Sequence, residues 1–186
     1  MQKPEGWNEV TPVFGGGTPK LPPGGYVCKI MYAGVKHSKN GNEMLCLALD
    51  IADGEHKDFY SNIFQGRKAA AKDGEKPNWP CVYYQLTQGE ATARFKGLTI
   101  NIEESNPGYH WDFDEKTLKG KLIGGVFREE EFIGQRDNKV HTTVKCAWLC
   151  PVEGVEDAEV PAKKCLDNAP AGMTGGTVSS DDDIPF

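Results

Sequence analysis

Basic and aromatic side chains alternate along part of this sequence, and together they suit a ligand that carries both phosphates and flat rings. Lysine and arginine pair with phosphates, whereas aromatic rings stack on nucleobases, each stack contributing about 1–3 kcal/mol. The richest stretch holds Lys57, Phe59, Tyr60, Arg67, Lys68, Lys72, Trp79, Tyr83 and Tyr84. Two polar turns add four cations, which are Lys36, Lys39, Arg136 and Lys139. These thirteen residues are the candidate contacts for single-stranded nucleic acid.

Several aromatic residues have an equally simple structural role. Neighbouring residues of a half-buried strand point to opposite faces, so at least one of Phe59 and Tyr60 is expected in the core. Four further aromatic residues are predicted to be core and not stacking residues: Phe64, Phe95, Phe127 and Trp148. The prediction therefore concerns the set of candidates more than any single member.

No enzyme signature accompanies these residues. The chain lacks a phosphate-binding loop, a Gly-x-Ser-x-Gly turn and a His-Glu-x-x-His helix. Carboxylates at 112–115 and 129–131 suggest a metal nuclease only weakly, because adjacent acids usually form a solvated edge. Zinc has four potential ligands, His141, Cys146, Cys150 and Cys165, but the usual Cys-x-x-Cys pairs are absent. We therefore expect a protein that is not an enzyme and that holds no metal and no cofactor.

The net charge of the chain is −6, and all of it lies towards the C-terminal end. From Pro151 onwards there are eight acidic residues and two lysines, whereas the first 150 residues hold 19 charges of each sign. A neutral body still attracts a polyanion when its positive and negative charges lie on different faces, because binding depends on the local field.

Apolar stretches such as 44–49 are far shorter than the roughly 18 residues that a membrane-spanning helix needs. The first residues also lack the layout of a secretory signal, so we expect a cytoplasmic protein. In a reducing cytoplasm the six cysteines are expected to be free thiols, several of them in the core.

The hydrophobic pattern predicts strands over 26–35 and 44–51, joined by a turn that contains Asn40-Gly41. Alternation in the second strand places Leu45, Leu47, Leu49 and Ile51 on a core face and Met44, Cys46, Ala48 and Asp50 on the other. A third strand is predicted over 56–64, and two helical turns are possible over 67–72.

The main helix is predicted to begin at Thr87, which has capping-box spacing to Glu90, and to end at 105–108. Its apolar face holds Ala91, Phe95, Leu98 and Ile102. Strands over 119–132 and 140–149 follow, and the glycine pair at 124–125 predicts a bulge or bend.

The predicted order is therefore mainly β, with one main helix between the third and fourth of five strands. That is the order of an OB-fold, a partly open Greek-key barrel that commonly binds oligonucleotides, although a generic α+β sheet has the same elements. We predict an irregular N-terminal arm over 1–24, one domain over 25–150, a flexible linker over 151–180 and an acidic tip over 181–186.

The tip holds Asp181, Asp182, Asp183, Ile184, Pro185 and Phe186. Three carboxylates can pair with a basic rim on a partner, the phenylalanine can enter an apolar pocket, and proline limits the conformations that are lost on binding. An acidic end that serves only solubility has no need of an exposed isoleucine and phenylalanine. The six residues resemble the acidic tip of bacterial single-stranded-DNA-binding proteins, which follows a Gly-rich linker. The resemblance implies that replication, recombination or repair enzymes dock on the tip.

The body carries a second resemblance, in its turn and strand-start motifs. Residues 19–30 (Pro-Lys-Leu-Pro-Pro-Gly-Gly-Tyr-Val-Cys-Lys-Ile), 38–45 (Ser-Lys-Asn-Gly-Asn-Glu-Met-Leu) and 118–125 (Leu-Lys-Gly-Lys-Leu-Ile-Gly-Gly) resemble phage-encoded proteins associated with single-strand binding and recombination. This resemblance implies an OB-type body, a viral origin and the cytoplasm of a host cell.

Two hypotheses of different classes remain open. In the first, the chain binds and protects single-stranded DNA, as a monomer or homo-oligomer, and recruits enzymes through its tip. In the second, it is a decoy that uses the tip to bind host enzymes and has no affinity for DNA. A salt-dependent titration with single-stranded DNA separates them.

Overall fold

A computed structural model describes residues 19–72, 74–134 and 137–166. The strands are β1 (Gly24–His37), β2 (Glu43–Ile51), β3 (Val82–Leu86), β4 (Leu122–Ile133) and β5 (Val140–Cys150), and the helices are α1 (Phe59–Ala70) and α2 (Thr92–Glu104). Short 3-10 turns occupy Gly89–Ala91, Glu115–Leu118 and Val155–Asp157. None of the helices in the described ranges is long and apolar enough to cross a membrane.

The five strands form one antiparallel sheet in the order β3-β2-β1-β4-β5. The long strand β1 pairs with β2 along its C-terminal part and with β4 along its N-terminal part. Because the fourth strand returns to lie beside the first, β4-β1-β2-β3 has the spatial order of a Greek key. The predicted mainly β class is confirmed, as is a main helix between the third and fourth strands.

The first hairpin matches its prediction closely. In the turn between β1 and β2, the Ser38 N–H donates to the Asn42 carbonyl at 2.7 Å. Gly41 has φ 78°, a left-handed conformation that glycine adopts without strain. The Asn-Gly pair was therefore a correct turn signal.

Strand β2 is buried on both faces, where the alternation predicted a single core face. Leu45, Leu47 and Leu49 are at most 1% exposed, as expected, but Cys46 and Asp50 are equally buried. The second face is covered because α1 packs against β2, and Asp50 bonds to the first turn of that helix.

The prediction of a third strand over 56–64 is wrong, because α1 begins at Phe59 and β3 lies at Val82–Leu86 instead. The start of α1 is held from β2. The Asp50 carboxylate accepts hydrogen bonds from the backbone N–H groups of Tyr60 at 2.8 Å and Ser61 at 3.1 Å, and from the Ser61 hydroxyl. These are N–H groups that an α-helix leaves unpaired in its first turn. Hydrogen bonds to a residue of β2 therefore stabilise a helix in an aromatic segment whose local sequence pattern is typical of a strand.

Helix α2 begins at Thr92, five residues after the predicted start at Thr87. The Thr87 hydroxyl contacts Glu43 Oε1 at 2.8 Å and so does not form the predicted capping box with Glu90. The predicted apolar face is confirmed at Leu98 and Ile102, which are 4% and 0% exposed. Helix α2 contacts β3, β4 and β5, so it lies across the two edge strands of the sheet.

Thiols and aromatic rings fill the core. Phe127 is fully buried between the rings of Tyr60 and Tyr26, at centroid distances of 6.2 and 5.7 Å. All six cysteines are free, as predicted, and burial raises the pKa values of the Cys28 and Cys146 thiols well above their ordinary range.

The glycine pair at 124–125 lies beside an irregularity, as predicted, since the β4–β5 register shifts between Val126 and Phe127. A Cβ on Gly125 would approach Cys28 Sγ and the Phe127 ring to 3.0 Å. The glycine is needed there for close packing of the core.

Residues 151–166, predicted to begin a flexible linker, instead lie against the sheet. Val155 is 1% exposed, and residues 163–166, here called the strap, run parallel to β4. The Lys164 N–H donates to the Glu129 carbonyl, and the Glu131 N–H donates to the Lys164 carbonyl, both at 2.9 Å. Cys165 therefore lies in an ordered segment and not in the tail where it was expected. The rest of the predicted linker, 167–180, and the tip lie outside the described residues.

Acid is expected to release the strap. Glu131 accepts from Lys163 Nζ at 2.7 Å and from the Leu166 N–H, and the Lys163 hydrogen bond lowers the pKa of this carboxyl below its ordinary 4.5. Because the folded pKa is the lower one, this contribution is present above pH 4.5 and is lost as the pH falls through the folded value. We expect the protection of the Lys164 and Leu166 amides, measured as their exchange relative to the intrinsic rate at each pH, to fall below pH 4.5, before the body unfolds. In Glu131→Gln the same amides should exchange fast at neutral pH, and slow exchange in that variant would contradict the assignment.

Candidate nucleic-acid interface

The predicted contacts lie on separate elements: the β1–β2 turn, α1 and the loop that follows it, β3, and the turn between β4 and β5. Arg136 is outside the described residues. The structure sorts the remaining twelve into side chains that face solvent and side chains that belong to the core.

Helix α1 presents its cations to solvent. Lys57 precedes the helix, Arg67 and Lys68 lie in its last turn, and Lys72 follows, all of them exposed. With a rise of 1.5 Å per residue, about 12 Å of helix separates Phe59 from Arg67. The guanidinium of Arg67 donates to the Asn78 carbonyl at 3.4 Å, which ties the last turn of α1 to the segment before β3.

Two predicted stacking residues are core residues, which corrects their assignment. Tyr60 is 5% exposed and Trp79 is 8% exposed. The Trp79 indole N–H donates to the Leu49 carbonyl at 2.8 Å, and its ring lies 5.1 Å from that of Phe64. Neither ring offers a face to a nucleobase. The prediction that one of Phe59 and Tyr60 is core is confirmed, and Phe59 is half-buried against the same core.

Tyr83 and Tyr84 lie on opposite faces of β3. Tyr83 pairs with Leu47 and packs on the core, and burial raises the pKa of its phenol. Tyr84 pairs with Cys46 on the opposite face and is also half-buried. Of the two, Tyr83 belongs to the core cluster and Tyr84 does not.

Two more of the predicted cations lie in or next to the β1–β2 turn. Lys39 is exposed at the turn, and Lys36 is half-buried in β1 opposite Met44. Leu86, at the end of β3, also pairs with Met44. The turn and the end of β3 therefore lie at the same end of the sheet.

The hairpin of β4 and β5 extends beyond the rest of the sheet. β1 pairs with β4 only as far as Phe127, and from there residues 128–133 and 140–145, here called the arm, pair with each other. The strap lies along the other edge of β4. Exposed Lys139 lies at the turn of the arm, where its N–H donates to the Asp137 carboxylate at 3.2 Å.

The arm also holds a pair of rings that the sequence analysis missed. Phe132 and His141 are cross-strand partners with centroids 5.6 Å apart and planes inclined by 31°, and Phe132 is 42% exposed. Asp137 holds His141 Nε2 at 2.9 Å, and this hydrogen bond lowers the pKa of the Asp137 carboxyl. We call Phe132 and His141 the ring pair. The sequence signal that could have identified this pair is an aromatic residue two positions before a predicted polar turn.

One face of the arm suits a single strand better than the other. By alternation, Arg128, Glu130 and Lys145 share a face with the ring pair. Arg128 forms an ion pair with Glu130 at 2.9 Å, and Lys145 is exposed. The opposite face holds Ile133 and Val140, which are 55% and 59% exposed but offer no flat ring. The first face therefore combines an exposed ring with one exposed lysine.

If the ring-pair face of the arm binds a single strand, loss of the Phe132 ring should weaken that binding. One base–aromatic stack contributes about 1–3 kcal/mol, so Phe132→Ala should raise the Kd for oligo(dT) about 5- to 150-fold. Fluorescence anisotropy at constant salt measures the change. Ile133→Ala, on the opposite face of the same arm, is the matched control and should leave the Kd unchanged. Equal effects of the two substitutions would argue against a binding face on the arm.

The described residues contain no group of three or more His, Cys, Asp or Glu side chains arranged to hold a metal ion. Cys146 and Cys150 lie in β5, and the Cys146 thiol donates to the Trp148 carbonyl at 3.3 Å.

Comparison with protein families gives one match. A family model described as a protein of unknown function, DUF669, matches residues 11–78. Within the described residues this stretch covers β1, β2 and α1 and ends before β3. No curated protein matches the chain.

Proposed function

We propose that this chain binds single-stranded DNA without strong sequence preference and recruits enzymes of replication, recombination or repair through its acidic tip. The observation that carries the proposal is the Greek-key strand order with α2 inserted between β3 and β4. A five-stranded, partly open Greek-key barrel is the OB-fold, whose strand face and loops commonly hold oligonucleotides.

Packing of the two edge strands on one core and one helix supports a curled sheet. Tyr83 on β3 and Val144 and Cys146 on β5 all pack against the same core cluster. Helix α2 contacts both edge strands, and Asn101 on α2 donates to the Leu149 carbonyl of β5 at 3.0 Å. A sheet whose edges share one core and one helix approaches a barrel with a gap between β3 and β5.

The distribution of cations supports a polyanionic ligand. Exposed positive side chains occur at the β1–β2 turn with Lys39, at the end of α1 with Arg67 and Lys68, and on the arm with Lys139 and Lys145. In OB-folds the loop between the first two strands and the loop between the last two border the binding face. Stacking and phosphate contacts tolerate any base, so weak sequence preference is expected.

The tip supplies the recruiting part of the proposal. Its support is the sequence, in which Asp181, Asp182 and Asp183 precede Ile184, Pro185 and Phe186. Such a segment offers carboxylates to a basic rim and a ring to an apolar pocket of an enzyme. Since the tip is anionic, DNA bound to the body leaves it available for proteins.

Titration of fluorescent oligo(dT) over a salt series tests the proposal. For about four neutralised phosphates, the slope of log Kd against log salt should be about 3. Quenching of tryptophan fluorescence should accompany binding. If no binding occurs at low salt, the DNA-binding proposal fails, and the chain would act only as a decoy that presents the tip to host enzymes.

A further inference from the structure

The outer edge of β5 along the arm carries backbone groups that face away from the sheet. The strap bonds to the Glu129 carbonyl and the Glu131 N–H, so Glu130 between them turns its backbone groups towards β5. Its partner Thr143 therefore faces β4, and the alternate residues of β5 face outwards. These outward-facing residues are Val140, Thr142 and Val144. Within the described ranges, no element forms a hydrogen bond with their outward N–H and C=O groups.

Two other edges of the sheet are short or covered. β3, on the opposite side of the sheet, has only five residues, and the strap covers β4 along the arm. β5 has eleven residues, and its part in the arm holds no proline and one lysine, Lys145. Proteins usually shorten, charge or cover an edge that must stay unpaired, because its backbone groups would otherwise pair with another chain. The arm edge of β5 therefore has the features of an edge that pairs.

Apolar side chains accompany this edge on one face of the arm. Val140 is 59% exposed, and its cross-strand partner Ile133 is 55% exposed. By alternation, Val140, Thr142 and Val144 share this face. All three are β-branched, a side-chain type that is favoured in strands. A chain that added a strand here would gain backbone hydrogen bonds and would cover exposed apolar surface.

We propose that the added strand is β5 of a second copy of this chain, paired antiparallel about a two-fold axis at Thr142. In this register Thr142 lies opposite Thr142 of the second copy, and Val140 lies opposite Val144 of the second copy. Each of the three outward-facing pairs forms two hydrogen bonds, and the two five-stranded sheets continue into one. The proposal concerns self-association and does not require that the body bind DNA.

The sequence of the edge suits a copy of itself. A two-fold axis brings the same surface of both copies together, so a strand pairs with its copy only if its own residues suit each other. Here valine meets valine and threonine meets threonine, which are favourable cross-strand pairs. Moving the axis to Thr143 would instead place Val140 opposite Cys146, whose side chain is already packed on the core.

One like-charge contact opposes the pairing. Lys145 lies just beyond the paired residues, opposite Lys139 of the second copy, and the symmetry repeats this contact. The nearby Asp137 carboxylate is already engaged, since it accepts from the Lys139 N–H and bonds to His141. Salt screens repulsion between exposed charges. Self-association should therefore tighten as salt rises, whereas binding of DNA should weaken.

Amide hydrogen exchange resolved by NMR tests the proposal. The N–H groups of Val140, Thr142 and Val144 face solvent in a single copy and are bonded in the pair, whereas those of His141 and Thr143 bond to β4 in both states. Such a small interface is expected to be weak. Raising the protein from about 50 µM to about 1 mM should therefore increase protection of the first three amides about threefold and leave the other two unchanged. Sedimentation velocity over the same range should show a monomer–dimer equilibrium.

Two substitutions change the edge and preserve the pairing of β5 with β4. Thr142→Pro removes an outward N–H, a position at which an edge strand tolerates proline, and should weaken self-association at least about tenfold. Lys145→Glu places a carboxylate opposite Lys139 of the second copy and should tighten self-association about fivefold. Lys119→Glu makes the same change of charge at an exposed site outside the arm and should have no effect.

Several results would overturn the proposal. Fast exchange of the three outward amides at every concentration would mean that the edge stays unpaired. Protection that does not depend on concentration would mean that a segment of the same chain covers it. A dimer that persists in Thr142→Pro, or that Lys145→Glu does not tighten, would place the interface elsewhere. Because these measurements contain no DNA, their failure would leave the proposed function to be decided by the oligo(dT) titration.

Discussion

Replacing Asp50 by alanine is expected to lower the free energy of unfolding by about 3 kcal/mol, the largest stability effect of a single side chain that we predict here. Asp50 is 1% exposed, and its carboxylate accepts from the N–H groups of Ile51, Tyr60 and Ser61. Alanine would leave these donors without their acceptor and the start of α1 without its cap. For a domain of this size the melting temperature should fall by about 10 °C, which differential scanning calorimetry measures.

Asp58→Asn is the matched control for the loss of one carboxylate near the start of α1. Asp58 occupies the N-cap position with φ 59°, but its side chain makes no capping hydrogen bond. Asparagine tolerates that backbone conformation, so a change below about 0.5 kcal/mol is expected. If Asp50→Ala unfolded at the same temperature as Asp58→Asn, the cap from β2 would contribute little and α1 would be stabilised in another way.

Deletion of residues 181–186 is expected to abolish the binding of partner enzymes while leaving the affinity for single-stranded DNA equal or higher. The deleted segment contains three of the eight acids that give the C-terminal part of the chain its negative charge. Their removal lessens repulsion of the phosphate backbone, most clearly at low salt. Oligo(dT) titration at matched salt measures the first effect, and pull-down of purified replication and repair enzymes measures the second.

Single substitutions in the tip separate charge from apolar contact. Phe186→Ala should abolish enzyme binding and leave the DNA affinity of the full chain unchanged, because the net charge is the same. Replacing the three aspartates with asparagine should raise the DNA affinity towards that of the deletion variant. Weaker DNA binding after deletion, at the same salt, would contradict the separation of the two activities.

Local sequence patterns predicted the structure correctly where a segment is stabilised mainly by residues close to it in the sequence. The Asn-Gly turn predicted the first hairpin, and the spacing of Leu98 and Ile102 predicted the buried face of α2. They failed at 56–64, where aromatic residues suggested a strand and a carboxylate from β2 starts a helix instead. They also failed at 151–166, which were predicted as the start of a flexible linker, because the sequence does not reveal the free edge of β4 that the strap pairs with.

The residues of the candidate site also fall into a group that the sequence predicted and a group that it did not. Exposed lysines and arginines were predictable from their charge, since few such side chains are buried. The roles of aromatic residues were not, because Trp79 and Phe132 differ only in the surroundings that the fold provides. Trp79 packs beneath α1 and bonds to β2, whereas Phe132 lies on an arm that projects beyond β1.

The parallel alignment of the strap with β4 fixes where the tail departs. β4 runs towards the turn of its hairpin, and the strap runs the same way, so Leu166, the last described residue, lies at the end of the strap nearer that turn. The C-terminal segment is therefore attached to one side of the molecule and not to its centre. If the proposed function is correct, an enzyme held by the tip is tethered from the side that carries Lys139.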